Sequence, residues 1–276
     1  MGTSKLIVFS KVDVASCNIA NEVSKLLNFR STGLTYRGKE ILSYDDVYLI
    51  EVDQDLIYLD GFDQDLPIRD VEVAFLLSRH SSVSGTPCLT THASGNLTNE
   101  AFYGGKPKSL AIAHPHYMSS LLRKLHQQNM EYNLDFLVSL EATHHGPTEV
   151  NIPLLFVEIG SKLEDWKNIK AAKAVAHAVV DTIKEHIPTA GGAVGFGGGH
   201  YPPKISQYVL KNGVVGHIFP KYVLSSEVDM SIIEKAMLRT FGGCTSFIID
   251  WKGVPGGVRQ KLIEVAKLRN LSVVEI

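Results

Sequence analysis

Cysteine is scarce. Cys17, Cys88 and Cys244 are the only three in 276 residues, far apart and without a CxxC pair. This excludes a disulfide framework and a cysteine zinc site, and predicts a reduced, cytoplasmic setting. Long hydrophobic runs are also absent, and none approaches the roughly 18 residues that span a bilayer. The opening "MGTSKLIVFSKVD" offers only Leu6 to Ser10 as an apolar stretch, so a first strand is expected there rather than a signal peptide. Missing as well are GxSxG, HExxH and GxxxxGK[ST], the usual marks of a serine elbow, a zinc helix and a phosphate loop.

What is present is an ordinary globular composition, 45% hydrophobic and 20% charged. The net charge of -2 hides an asymmetry. From Glu40 to Glu72 there are eleven acidic residues and one basic, Arg69, giving -10; the remainder holds 26 basic and 18 acidic residues, giving +8. A basic body beside an acidic excursion lets a polyanion dock on the basic part. Charge alone fits a solvated acidic loop equally well.

Short apolar runs recur, among them "KLIVFS", "DVYLIEVD", "VEVAFLLS", "LDFLVSLEA", "PLLFVEIG", "AVGFGGG", "VVGHIFP" and "SFIIDW". Several scarcely alternate, which predicts strands covered on both faces. Between them the spacing predicts helices. Asp13 is placed to cap one that buries Ile19, Val23 and Leu26. Ser161 and Glu164 have the spacing of a capping box for one long helix ending before Pro188. Pro203 opens another, and two more are expected over about 229–240 and 258–269. The expected fold is α/β, a mixed, mostly parallel central sheet flanked by helices, in a single domain over 1–276 with an acidic insertion or lobe at 32–70.

Polar residues cluster after strands: Arg79 and His80; Glu141, His144 and His145; His200; Asp250 and Lys252. In open α/β sheets ligands bind beyond the carboxyl ends of strands, so these groups are expected to share a crevice. The loop "GFGGGHYPPK" (195–204) fits neither nucleotide template, because from Gly195 the GxGxxG pattern ends on His200. Its glycines still suit an anion or oxyanion, or simply close packing. "EATHHGPTE" sets adjacent histidines beside carboxylates. In a strand they would face opposite sides, whereas in a turn before Gly146-Pro147 both can face one site. Zinc ligation and general-base chemistry oriented by Glu141 both remain open. His80 and His92 sit among hydroxyls, and His217 lies in an apolar strand.

Taken together and in this order, "KVDVAS", "SRHSS", "LTTHASGN", "YGGK", "EATHHGPTE", "VEIGS", "GGGHYPPK", "GHIFPKY" and "DWKG" resemble the archaeal and plant type of D-aminoacyl-tRNA deacylase. The resemblance spans most of the chain and is weakest over 32–70. It implies hydrolysis of the ester between a D-amino acid and the 3′ terminal ribose of tRNA. It also implies a fold similar to purine nucleoside phosphorylases and peptidyl-tRNA hydrolases, and dependence on two zinc ions. The matched motifs place functional groups at His80, His92, Glu141, His144, His145 and His200. Of these His80, His92, His144 and His145 are the expected metal ligands, and His80, Glu141, His144, His145 and His200 the expected catalytic groups.

For such a reaction the amides of Gly197, Gly198 and Gly199 would cradle an oxyanion, and Lys204, Lys221 and Lys252 would meet phosphates at the acceptor end. Lys162, Lys167, Lys170 and Lys173 fit either more distant tRNA contacts or a solvated helix face. No membrane and no obligatory protein partner are expected. Three competing readings are a nucleoside phosphorylase-like enzyme, a zinc-dependent amidohydrolase or peptidase, and a tRNA-binding module without catalysis.

Overall fold

The computed structural model describes residues 3–224 and 228–276. Its first part runs β1 (Ser4–Ser10), α1 (Val14–Leu26), β2 (Arg30–Tyr36), β3 (Lys39–Tyr44), β4 (Val47–Val52), a 3-10 turn (Leu56–Tyr58), β5 (Val71–Arg79) and β6 (Cys88–His92). Three two-residue strands follow, β7 (Gly95–Asn96), β8 (Ser109–Leu110) and β9 (Ile112–Ala113). Next come α2 (Pro115–Glu131), β10 (Leu137–Leu140), β11 (Pro153–Gly160), α3 (Leu163–Trp166) and α4 (Ile169–Lys184). The last part is β12 (Gly192–Phe196), α5 (Pro203–Leu210), β13 (Val215–Phe219), α6 (Met230–Leu238), β14 (Cys244–Ile249), α7 (Gly256–Leu268) and β15 (Ser272–Glu275).

The α/β expectation holds, with two principal sheets in place of one. The larger has the order β10-β6-β11-β5-β1-β4-β3-β2, with β9 beside β11. Its centre is parallel from β11 through β5 and β1 to β4, while β6 runs antiparallel to β11 and carries β10 with it. The smaller sheet, β13-β12-β14-β15, is parallel throughout. A 276-residue chain with strands this apolar needs cover on every face. On one face of the large sheet Ile7, Phe75, Leu77, Leu155 and Val157 pack with α1, α2 and α4. On the other, Leu6, Val8, Leu76 and Phe156 meet Leu56, Leu59, Phe62, Leu66 and Ile68. In the small sheet Val194, Phe247 and Ile249 meet α6 and α7, and Ala193 and Ile248 meet α5 and α2.

Thus α2 touches both sheets and joins them. Its sequence, "PHYMSSLLRKLHQQNME", is polar enough that no helix was expected over it, although Pro115 stands in its first turn. Residues 32–70, expected as an acidic insertion or lobe, supply most of β2, then β3 and β4 at one side of the large sheet and the apolar cover of its second face. The single long helix expected after Ser161 is two. Asp165, not Glu164, reaches back to the backbone amides of Ser161 (2.7 Å) and Lys162 (3.2 Å), and Asn168 then caps α4 through Ala171 (3.1 Å). Asp13 caps α1 as expected, its Oδ1 accepting from Ser16 N at 3.1 Å.

Candidate functional site

Strand alternation decides which side chains share the site. On β11 Phe156, Glu158 and Gly160 face one way, and their partners across β6 are His92, Thr90 and Cys88. His80 extends the same face of β5, its amide bonded to Ile159 O. Glu141, just past β10, bonds through its amide to Thr91 O, which sets it beside His92. Gly160 leaves room for the His80 ring, since a Cβ there would lie 2.9 Å from His80 Cβ. The expected crevice beyond a set of carboxyl strand ends is therefore corrected. β6 and β10 run opposite to β5 and β11, so their ends arrive from opposite directions and meet over Glu158. His200 comes from the loop after β12, where Ala142 N donates to His200 O at 2.9 Å.

Both histidines of "THHG" face this cluster because the strand pattern breaks between them. His145 adopts φ 45°, in the left-handed region, and Gly95 N donates to His145 O at 2.7 Å. Ring centroids lie 4.4 Å apart for His92 and His144, 4.9 Å for His92 and His145, and 4.7 Å for His144 and His200. His217, buried in β13, contacts Thr143 Oγ1 at 3.2 Å and Ala111 O at 3.2 Å, and so supports the segment next to His144 from behind.

Three imidazoles could hold a metal ion. His144 Nδ1 lies 2.9 Å from Ala142 O, His145 Nδ1 2.6 Å from Gly146 O, and His92 Nδ1 3.3 Å from Ala93 O. For His144 and His145 the contact assigns the proton to Nδ1 and leaves Nε2 with a free lone pair, the form that binds a metal. At His92 burial works against the charged form, but Glu158, with Oε2 3.7 Å from Nε2, overcomes it and raises the pKa. Burial first, and then neighbouring histidines, push His144 well below the usual range and His145 down to about 3, so both are neutral. One ligand atom from each of His92, His144 and His145 falls within 4.8 Å of the others, and His92 Nε2 is buried with no hydrogen bond among the described residues. An orphaned nitrogen facing two lone pairs is costly unless a cation is shared between them. These residues fit zinc. A second set, His80, Glu141 and His200, also meets the 4.8 Å condition and shares no residue with the first.

The second set has another chemical option. Glu141 is buried, with His80 Nδ1 3.0 Å from Oε1 and His200 Nε2 2.9 Å from Oε2, yet neither approach is aligned as a hydrogen bond. Burial disfavours its charge, but His200 and His80 more than offset this and hold the carboxyl well below its ordinary range. His80 is engaged at both nitrogens, Nδ1 3.3 Å from Glu158 Oε2 and Nε2 2.7 Å from Tyr201 Oη. Burial works against its charged form, and the two carboxylates overcome that and push it up to about 10.

The structure brings His80, His92, Glu141, His144, His145 and His200 together. Two expected roles around them change. Gly197 is not available to an oxyanion, because its amide donates to Phe219 O at 2.8 Å; among the described residues the amides of Gly198 and Gly199 have no partner. Lys204 Nζ is held by Asp250 Oδ1 at 2.8 Å and Ile276 O at 3.1 Å, whereas the exposed side chains of Lys221 and Lys252 have no partner among the described residues. Among the described residues no serine or threonine hydroxyl bonds to His80 or His92: Glu158 and Tyr201 take the two nitrogens of His80, Ala93 O takes His92 Nδ1, and His92 Nε2 has no hydrogen-bond partner. Glu158 and Tyr201 were missed as site residues. The sign of Glu158 was legible, a lone carboxylate inside the otherwise apolar "PLLFVEIG"; that of Tyr201 was not.

Comparison with known proteins gives a consistent result. The profile of a family described as D-aminoacyl-tRNA deacylase matches residues 68–274. A D-aminoacyl-tRNA deacylase from Pyrococcus furiosus is 36% identical over 275 residues, covering 98% of this chain and 99% of the relative. One from Thermococcus kodakarensis is 38% identical over 269 residues, covering 95% and 96%. The crystal structure of a conserved protein of unknown function superposes with a TM-score of 0.91 at 33% identity, covering all of this chain and 96% of that one.

Proposed function

The chain belongs to the D-aminoacyl-tRNA deacylase family and hydrolyses the ester joining a D-amino acid to tRNA, and from that premise we propose how its histidine cluster does so. The observation that carries the proposal is the division of the cluster into a ligand set, His92, His144 and His145, and a carboxylate-imidazole pair, Glu141 and His200. The first set would hold zinc through Nε2 of each ring. A zinc ion held there would supply Lewis acidity for the ester carbonyl and for water.

Proton transfer falls to His200. Its Nε2 lies 2.9 Å from Glu141 Oε2, which leaves Nδ1, on a ring one-third exposed, for the attacking water. His200 Nδ1 accepts the proton of that water as its oxygen attacks the carbonyl carbon. Glu141 stabilises the imidazolium so formed. The same nitrogen then returns the proton to the ribose oxygen as the ester C–O bond breaks, freeing D-amino acid and tRNA. Amides of Gly198 and Gly199 donate to the oxyanion in between. This role was expected of His144 or His145. His200 suits it better, because His144 Nε2 lies farther from Glu141, at 3.5 Å, and both adjacent histidines are set up as ligands. His80 bridges Glu141 and Glu158 and keeps both carboxylates in place.

Lys221 and Lys252 meet phosphates of the acceptor end in this reading, and the exposed lysines 162, 167, 170 and 173 meet tRNA farther out. The phosphorylase, amidohydrolase and non-catalytic alternatives are not favoured by the relatives. The deciding experiment incubates the protein with D-tyrosyl-tRNA and L-tyrosyl-tRNA, before and after metal depletion. Selective loss of the D-ester, abolished by depletion and restored by zinc, is expected. Equal hydrolysis of both esters contradicts the chiral selectivity, and full activity after verified depletion contradicts the zinc assignment.

A further inference from the structure

The motif "YGGK" has no part in the chemistry above, yet the loop that carries it is built with care. Buried Asn96 donates from Nδ2 to Gly104 O at 2.8 Å and Lys106 O at 3.2 Å, and Lys108 N closes the loop onto Thr98 O at 2.9 Å. Gly104, at φ 76°, lies so close to the 3-10 turn that a Cβ would be 1.9 Å from Ile57 O. A loop fixed this firmly nonetheless holds two large rings in solvent, Phe102 at 75% and Tyr103 at 66% exposure. It is tied directly to the site, since Gly146 N, next to His145, donates to Tyr103 O at 2.9 Å.

A third ring flanks the cluster from the other sheet. Tyr222, 63% exposed, follows β13 in the turn where Lys221 N donates to Gly198 O at 2.9 Å. Through that bond its turn lies against the loop that carries His200, and partial burial and the charge of Glu141 both raise its pKa. Exposed apolar surface beside a catalytic centre marks a place where something is covered in use. Lys221 and Lys252, exposed beside it, select a polyanion.

We propose that Phe102, Tyr103 and Tyr222 form a stacking platform for the unpaired bases at the 3′ end of tRNA. The inference rests on the deacylase reading and specifies how that substrate is held. Every base has an aromatic face, so stacking holds a strand end without reading a sequence, and the neighbouring lysines neutralise its phosphates. A rigid loop suits this role because little conformational freedom is lost when the bases dock.

The test is steady-state deacylation of D-tyrosyl-tRNA and D-aspartyl-tRNA by Phe102→Ala, Tyr103→Ala and Tyr222→Ala, with Leu268→Ala, an exposed apolar residue at the end of α7, as control. KM is expected to rise about tenfold for each ring removed, by the same factor for both esters, with kcat within about twofold. Tyr103→Trp should restore KM, since a larger ring stacks as well. A KM unmoved in all three variants overturns the platform, and so does a rise confined to the tyrosyl ester, which would assign the rings to the amino-acid side chain. Wild-type protein inert on both esters is a different failure, that of the deacylase reading itself.

Discussion

In the proposed mechanism Glu141 orients and His200 transfers the proton, so their substitutions should differ in kind. His200→Ala removes the transferring nitrogen, and kcat is expected to fall about 10²- to 10⁴-fold. Glu141→Gln keeps the shape and removes the charge, so kcat should fall while thermal stability changes less than in Glu141→Ala, which leaves His80 and Glu158 without their neighbour. Unchanged kcat in either variant, measured with the D-ester at saturation, removes this pair from the mechanism. A separate residue-scale effect concerns stability. Burial brings His114 down to about 3 and His217 down to about 4, and His114 has no hydrogen-bond partner for either nitrogen among the described residues. The unfolded chain therefore binds more protons than the folded one below pH 6.5, and stability falls as pH drops through that window. Between pH 7 and 5 each histidine should cost about 2 kcal/mol. Urea unfolding of His114→Gln at both pH values should show a smaller loss than wild type; an equal loss would remove His114 as a contributor.

Helix α4 gives the element-scale test. Val175, Val179 and Ile183 are buried against the large sheet, each stabilising by about 1.5–3 kcal/mol, and the helix starts where Asn168 Oδ1 accepts from Ala171 N. Asn168→Ala should lower stability by about 1 kcal/mol, while Ser161→Ala should leave the start of α4 intact. A larger effect at Ser161 than at Asn168, by circular dichroism melting, would restore the single long helix that the Ser161-Glu164 spacing suggested. Such spacing carries no information about which carboxylate turns back, and here Asp165 is nearer the amides. α2 escaped notice for a related reason. It is buried mainly by Tyr117, Met118, Leu121, Leu122 and Leu125, and its flanking serines, histidines and glutamines dilute the apolar stripe. Strands such as "PLLFVEIG" and "AVGFGGG" were legible because both faces are covered and the whole run is apolar.

At the scale of the molecule, the proposed zinc and the tRNA would each leave a signature independent of catalysis. If His92, His144 and His145 hold zinc, the ion binds the folded state alone, and at a hundredfold excess over Kd it adds about 2.7 kcal/mol. Zinc should raise Tm of the metal-free wild type but not of His92→Ala; equal shifts in the two proteins would contradict this ligand set. KM for D-aminoacyl-tRNA should rise steeply with salt, because phosphate contacts release counterions, and a flat response would leave the basic surface without a role. By itself the sequence determined the α/β class, the capping of α1, and the six residues of the cluster through their motifs. All of these rest on short-range patterns or on residue types that keep their order along the chain. Only the tertiary structure decided that there are two sheets joined by α2 and that β6 and β10 enter the site against the direction of β5. It also decided that Glu158 and Tyr201 complete the cluster and that His200, not its neighbours in "THHG", meets Glu141 most closely. Those features depend on pairing between segments up to 121 residues apart, such as His80 with Tyr201. Strand direction and side-chain approach arise when distant segments pack, and neither spacing nor composition encodes them.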